Sequence, residues 1–277
     1  MMLDHLIVPV DLSASSLATI GLAATLADRV GGQVDAICVV SDAKLVRPAA
    51  TELNYHIARL GPLPVTIHRE VIVADSPATA IIDTLIATPE ATLVMASQGR
   101  GRSAAVFGST LADVLRRSAR PVIVLGPNAD LTTCETGGEY FVPLDGSDNA
   151  EAVLPIVAEW TAELGGSPTV VEVATASYHD AASAYLRAQA AGLADTIGRP
   201  VDYELIHGGD IGRAIAERAD AVGASLIFIA SHGRTGIGRL ASGSVAAGVV
   251  RHARMPVVVL RPADVGAAQL ASLVAAG

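Results

Sequence analysis

Short apolar runs alternate along the chain with longer stretches in which apolar residues recur at helical spacing. The runs predict strands at His5–Val10, Gln33–Val40, Pro64–Val73, Thr92–Ala96 and Pro121–Leu125. Between the first two, Leu17, Ile20, Leu22 (or Ala24) and Leu26 line one face of a helix. Ser13 or Asp11 is placed to cap it, and Gly31-Gly32 to stop it. Further helices are expected over Ala49–Leu60, Pro77–Ala87 and Ser109–Ser118. Runs such as Val122-Ile123-Val124-Leu125 are apolar at every position, the mark of strands covered on both faces in a parallel sheet. Only the third run alternates, with Thr66, His68 and Glu70 against mostly apolar neighbours.

The pattern then repeats. Val94-Met95-Ala96-Ser97-Gln98-Gly99-Arg100 lies over Phe228-Ile229-Ala230-Ser231-His232-Gly233-Arg234 at an offset of 134 residues. Gly108-Ser109 and Gly243-Ser244 then match at an offset of 135. Ile7-Val8-Pro9-Val10-Asp11 likewise matches Phe141-Val142-Pro143-Leu144-Asp145. In the second copy, helices are expected over Ala152–Leu164, Ala181–Ile197, Ile211–Val222 and Ser244–His252. Its later strands fall at Thr169–Ala174, Val201–His207, Leu226–Ala230 and Pro256–Leu260. The chain therefore divides into domain one (1–127), a turn-rich linker (128–138), domain two (139–264) and an alanine-rich tail (265–277). Strands alternating with helices argue for two α/β domains with parallel sheets.

Composition narrows the function. Aromatics are only 3% of the 277 residues, so the cores must be built from Val, Ile, Leu and Ala. A net charge of −9 argues against binding nucleic acid or an anionic membrane, both of which need positive charge. Cys38 and Cys134 have no CxxC partner, as in a reduced compartment. No run approaches the roughly 20 apolar residues of a spanning helix. A signal peptide is not evident either, and the expected setting is soluble and cytoplasmic.

The chemistry concentrates where each copy's fourth strand meets a glycine loop and then a helix start. Backbone N–H groups there are unpaired, the helix dipole favours negative charge, and glycines allow close approach. This is how proteins hold phosphate. Gly99, Gly108 and Ser109 in the first copy carry it, as do Gly233, Gly243 and Ser244 in the second, where Val245 continues the helix. A tight turn with a helix cap is the plainer alternative. Asp11 and Asp145 read equally as helix caps or as acceptors where strand one ends. Arg100 and Arg234 are phosphate partners or surface cations.

Other chemistries fit less well. The only lysine is Lys44, outside any glycine loop, so there is no Walker P-loop. GxGxxA-like stretches follow the fourth strand, where a dinucleotide fingerprint would follow the first. The seven histidines show no metal spacing, and no serine sits in a hydrolase elbow. His232 lies near the expected phosphates without a visible carboxylate partner.

A strand ending in Asp, then small-x-x-Gly, about nine residues and Gly-Ser, all repeated in tandem, resembles the universal stress protein family. The second copy carries it as Ala230-Ser231-His232-Gly233, nine residues, then Gly243-Ser244. Alanine replaces the motif's first glycine in both copies (Ala96 and Ala230), and the first copy's spacer, Arg100–Phe107, is eight residues. The resemblance implies five-stranded, doubly wound parallel sheets of the adenine nucleotide alpha hydrolase-like kind. It also implies ATP, with Mg²⁺ bridging its phosphates, held near strands one and two with the phosphates on the glycine loop. Asp11 and Val39, with their counterparts Asp145 and Val173, would then meet the adenosine, and Pro9, Ala96, Pro143 and Ala230 would belong to the same nucleotide site. Val39 and Val173 read equally well as core valines. In relatives the last strands pair across a two-fold, so the two halves are expected to form a pseudo-dimer within one chain. A homodimer of whole chains is compatible with the same reading. The function implied is a nucleotide-dependent stress-response module with at most slow ATP hydrolysis. The alternatives are a nucleotide-free scaffold of the same family and an ATP-splitting enzyme of a related fold.

Overall fold

The computed structural model describes residues 3–99, 107–130, 137–174, 179–231 and 244–262. The first half runs β1 (His5–Pro9), α1 (Ala14–Val30), β2 (Gln33–Val40), α2 (Val46–Arg59), β3 (Ile67–Val73), α3 (Pro77–Ala87), β4 (Ala91–Ala96), α4 (Ser109–Arg117) and β5 (Val122–Leu125). The second runs β6 (Glu139–Pro143), α5 (Asp148–Glu151), α6 (Leu154–Leu164), β7 (Ser167–Ala174), α7 (His179–Ile197), β8 (Asp202–His207), α8 (Ile211–Ala221), β9 (Ala224–Ala230), α9 (Ser244–His252) and β10 (Val257–Leu260).

The ends of the first helix follow from its sequence. Ser13 caps α1 by accepting the Ser16 N–H, and Gly31 closes it in a left-handed conformation with φ 69°. Several expected boundaries move by a few residues, two of them at a proline. The helix expected over Ala152–Leu164 is α6, which begins at Leu154 with Pro155 in its first turn, and a separate short helix, α5, precedes it. A ring without an N–H interrupts a helix but can open one. The third strand starts at Ile67, beyond Pro64.

All ten strands form one sheet in the order β3-β2-β1-β4-β5-β10-β9-β6-β7-β8. Pairing is parallel within each half. The halves join by the antiparallel pair β5–β10, with Val124 opposite Val257, Ile123 opposite Val258 and Val122 opposite Val259. The expected intrachain pseudo-dimer is thus built through its two last strands. One core packs α1, α2 and α5–α7 on one face of the sheet, and a second packs α3, α4, α8 and α9 on the other. Each core contains residues of both halves, so the seam is buried in apolar side chains worth roughly 1.5–3 kcal/mol apiece.

The start of the linker is anchored. Gly126 passes so close to the Val250 carbonyl that a β-carbon would overlap it. Asn128 donates to the Arg251 carbonyl at 2.8 Å, and the Asp130 N–H donates to the Arg254 carbonyl at 2.7 Å. On the other face, Arg29 of α1 donates to the Leu164 carbonyl at the end of α6 (3.1 Å).

Candidate functional site

In each half the strand order reverses between the first and fourth strands. The chain leaves β1 toward α1 on one face and leaves β4 toward α4 on the other, which opens a crevice beyond the strand ends. At the end of β1, Val10 still donates to the Ile37 carbonyl (2.8 Å). Asp11 then turns out to solvent, and Leu12 takes the left-handed conformation at φ 64°. The Asp11 carboxylate accepts the Ser13 N–H at 3.0 Å and the Ser16 hydroxyl at 2.7 Å on Oδ1. Asp11 therefore does not cap α1 itself. It holds the residue that does.

At the end of β4 the loop is pinched shut at its neck. Ser97 donates its N–H to the Leu125 carbonyl and accepts the Gly108 N–H on its own carbonyl, both at 2.8 Å. Gly108 precedes α4 without a side-chain cap. The first helical bond comes from Ala112 to the Gly108 carbonyl (3.0 Å), which leaves the amides of Ser109, Thr110 and Leu111 without a partner inside the helix. Gly99 faces Asp11 so closely that a β-carbon there would overlap the carboxylate. At Gly108 a β-carbon would meet the Ser97 carbonyl at an ordinary 3.6 Å.

Between these two strand ends lies a cavity of about 400 Å³. Pro9, Asp11, Val39, Ala96, Gly99, Gly108 and Ser109, the seven described candidates of the first copy, all line it. Arg100 lies outside the described residues. Residues not anticipated from sequence share the wall with them and with Val10, Ser97 and Gln98. Ile37 and Met95 come from the sheet, Pro77 and Ile81 from α3, Ser16 from α1, and Thr110 and Leu111 from α4. The α3 residues could be recognised only once the topology brought that helix over β2 and β4. The first turn of α4 could have been read directly from its position after Gly108-Ser109. One end of the cavity is apolar, and the other presents main-chain amides and the hydroxyls of Ser109 and Thr110. Its described lining has one carboxylate and no cation.

In the second half, Pro143 is buried at the end of β6 and the Leu144 N–H donates to the Val171 carbonyl (2.8 Å). Asp145 accepts the Ser147 N–H at 3.0 Å and the Ser147 hydroxyl at 2.5 Å. Val173 packs half-buried against the core beneath α8 and α9, and Ala230 ends β9. Ser244 opens α9, followed by half-buried Val245. His232, Gly233, Arg234 and Gly243 lie outside the described residues, as does the tail. Within the described residues, no group of three His, Cys, Asp or Glu side chains could hold a metal ion, and no helix is long and apolar enough to cross a membrane.

A parallel sheet in the order 3-2-1-4-5, built twice in one chain with its crevice at the switch point, defines a tandem α/β protein with a ligand-sized opening. The chain belongs to the universal stress protein family, whose model matches residues 2–126 and again 141–261. A universal stress protein from Archaeoglobus fulgidus has the same fold at 20% identity and a TM-score of 0.69, over 95% of this chain and 100% of its own. Two Pseudomonas aeruginosa chains are similar at 17% identity each, with TM-scores of 0.63 and 0.62. Each spans 98% of this chain, and the alignment takes in 99% and 98% of their own lengths. None of the curated proteins matches the chain.

Proposed function

We propose that the first half holds an adenine nucleotide, ATP in the simplest case, and that the protein works as a nucleotide-dependent regulatory module of the stress response. The observation that carries this reading is the 400 Å³ cavity whose wall joins an apolar slot, one exposed carboxylate and an uncapped helix start. The slot of Ile37, Val39, Ile81 and Met95 suits a flat heteroaromatic ring. Asp11 suits a ribose hydroxyl, which donates to a carboxylate acceptor. The amides of Ser109, Thr110 and Leu111, with the positive end of the α4 dipole, suit phosphate. Mg²⁺ would bring charge neutralisation to the phosphates. The described residues offer Asp11 and hydroxyls as its neighbours, which fits an ion that keeps most of its water and binds through phosphate oxygens.

A nucleotide-state signal then requires only that two conformations of the chain bind the ligand unequally. The test is direct. Protein purified without added nucleotide is denatured, and the released small molecules are identified by mass spectrometry. The stripped protein is then titrated with ATP and Mg²⁺ in a calorimeter. Release of an adenine nucleotide and a saturable heat are expected. No released adenine compound together with a flat titration would sink the reading.

A further inference from the structure

We propose that the free edge of β3, with the groove between it and α2, docks an extended acidic segment of a partner protein, which adds to the sheet as a further strand. None of the groove's residues belongs to the cavity between the ends of β1 and β4, so the proposal stands apart from the nucleotide reading. β3 ends the sheet and pairs only with β2 among the described residues, so one row of its main-chain groups faces outward. Beside it α2 leaves a groove of about 460 Å³, floored by Val46, Ala50, Leu53, Ile67 and Val71. Asn54, His68 and Arg69 add polar groups to its wall, and no carboxylate lines it. Ile67, Arg69 and Val71 alternate onto this side of the strand, which turns Glu70 to the opposite face.

The charge on this edge is unanswered. From Ala43 to Arg69 stand Lys44, Arg47, Arg59 and Arg69 against a single carboxylate, Glu52, in a chain whose net charge is −9. The Arg69 guanidinium is held by neutral acceptors, the Ile67 carbonyl at 3.2 Å and the Asn54 side-chain oxygen at 2.9 Å. Arg59 donates to the Tyr55 hydroxyl at 3.0 Å and lies 5.5 Å from the ring centre. Arg47 stands three residues before Ala50 and seven before Asn54, on the stripe of α2 that borders the groove. Among the described residues, no carboxylate lies within ion-pair distance of any of these four cations.

The other end of the sheet is built the opposite way. The groove beside β8 and α8 is lined by Glu204, Asp210 and Glu217, and its two arginines are already paired, Arg218 with Glu204 at 2.9 Å and Arg213 with Glu217 at 2.7 Å. At β3, an added strand satisfies the outward main chain. An acidic side chain opposite Arg69 meets its charge, and apolar side chains two positions to either side fall opposite Ile67 and Val71. The required pattern is therefore apolar, acidic, apolar at alternate positions. It reads the same in both directions, so it serves a parallel or an antiparallel strand.

The probe is a capped peptide of the seven-residue length of β3, Thr-Val-Thr-Glu-Thr-Val-Thr, carrying a neutral fluorophore, with a lysine-centred counterpart. Binding to the full chain is read by anisotropy, and melting is recorded for each variant. The wild type should prefer the glutamate peptide. Arg69→Glu should weaken it by about three- to tenfold and reverse the preference toward lysine, because a repulsion replaces an attraction. Arg47→Glu should weaken it by about two- to fivefold. The Arg47 side chain makes no hydrogen bond and sits in the first turn of α2, where an acid suits the dipole, so this variant keeps the fold. Arg213→Glu, at the far end of the sheet, should change nothing. No binding by the wild type, a glutamate preference that survives Arg69→Glu, or equal harm from Arg213→Glu overturns the proposal. It is overturned equally if phosphatidylserine vesicles bind where the peptide does not, or if sedimentation shows self-association that Arg69→Glu abolishes, which would assign the edge to a membrane or to a second copy of the chain.

Discussion

The two halves share strand order and register but treat the space above the sheet differently. In the second half, α8 and α9 meet backbone to backbone. A β-carbon on Gly212 would lie 2.8 Å from the Gly248 Cα and 2.9 Å from the Val245 carbonyl, on the first turn of α9. The corresponding first-half residues are Ala78 and Asp113, and there α3 and α4 stand on either side of the cavity. Beneath the sheet the second half packs Tyr140, Trp160 and Phe228 together, with ring centroids 5.2 and 5.3 Å apart. The first half has Leu6, Leu26 and Val94 at those positions. Duplication supplied two copies of one plan. Among the described residues, close helix contact and aromatic filling mark the second half as the more tightly packed, and the cavity between strand ends lies in the first.

This contrast breaks first at the two aspartates. Asp11→Ala should weaken ATP by roughly ten- to hundredfold, the worth of a hydrogen bond to a charged acceptor. Asp145→Ala should leave the same titration unchanged. Gly99→Ala should follow Asp11→Ala in direction, since the added methyl displaces that carboxylate without disturbing a helix or strand. If Asp145→Ala proved the damaging variant, the roles assigned to the halves would be reversed.

The helix contact is tested by glycines. In a helix interior, Gly→Ala ordinarily stabilises by up to about 1 kcal/mol. Gly21 in α1 and Gly192 in α7 have nothing within 4 Å of an added β-carbon, so both should show that gain. Gly212→Ala and Gly248→Ala should reverse the sign and cost about 1–3 kcal/mol, because backbone cannot yield as a side chain can. Urea unfolding of the four variants reads the difference. A stabilised Gly212→Ala would remove the close packing that distinguishes the second half.

A smaller effect separates the turns after β1 and β6. Leu12 and Gly146 hold equivalent positions at φ 64° and 76°. Leucine there accepts a strained backbone and is compensated by packing half-buried against the core. Gly146 is exposed and has no such return, so Gly146→Leu should cost about 1–2 kcal/mol in unfolding free energy. An unchanged midpoint would mean that the second turn relaxes where the first cannot.

The same residues measure what the sequence carried. Strand and helix order and the duplication were legible because apolar period and repeat offset are local or nearly local signals, whereas the β5–β10 seam was expected only from the resemblance to the family. Asp11, Gly99 and Ser109 were legible because a strand end, a glycine and a helix start have fixed directions. Pro77 and Ile81 were not, since each depends on which helix the topology lays beside which loop. The Gly212–Gly248 contact was hidden for the same reason. Two glycines thirty-six residues apart signal nothing until two helix axes cross.

The gentlest test lies at the opposite end of the sheet. Glu139, which stands where the first half has His5, accepts the Thr169 hydroxyl. Burial raises its carboxyl above the ordinary 4.5; the Thr169 bond pulls the other way, and the negative charge of Asp202 adds to the rise. The folded chain therefore binds more protons than the unfolded one between 4.5 and the raised value. Stability tied to this group is fully present below 4.5 and is lost as pH climbs through that window. Glu139→Gln keeps the hydrogen bond and removes the titration. Urea midpoints of the two proteins should nearly coincide at low pH and separate above about 4.5, with the glutamine variant the more stable. His5 instead meets the Asp35 carboxylate at 2.6 Å, so the same substitution does not carry over to the first half. Parallel curves across the whole range would place the Glu139 carboxylate in water and erase this last difference between the two copies.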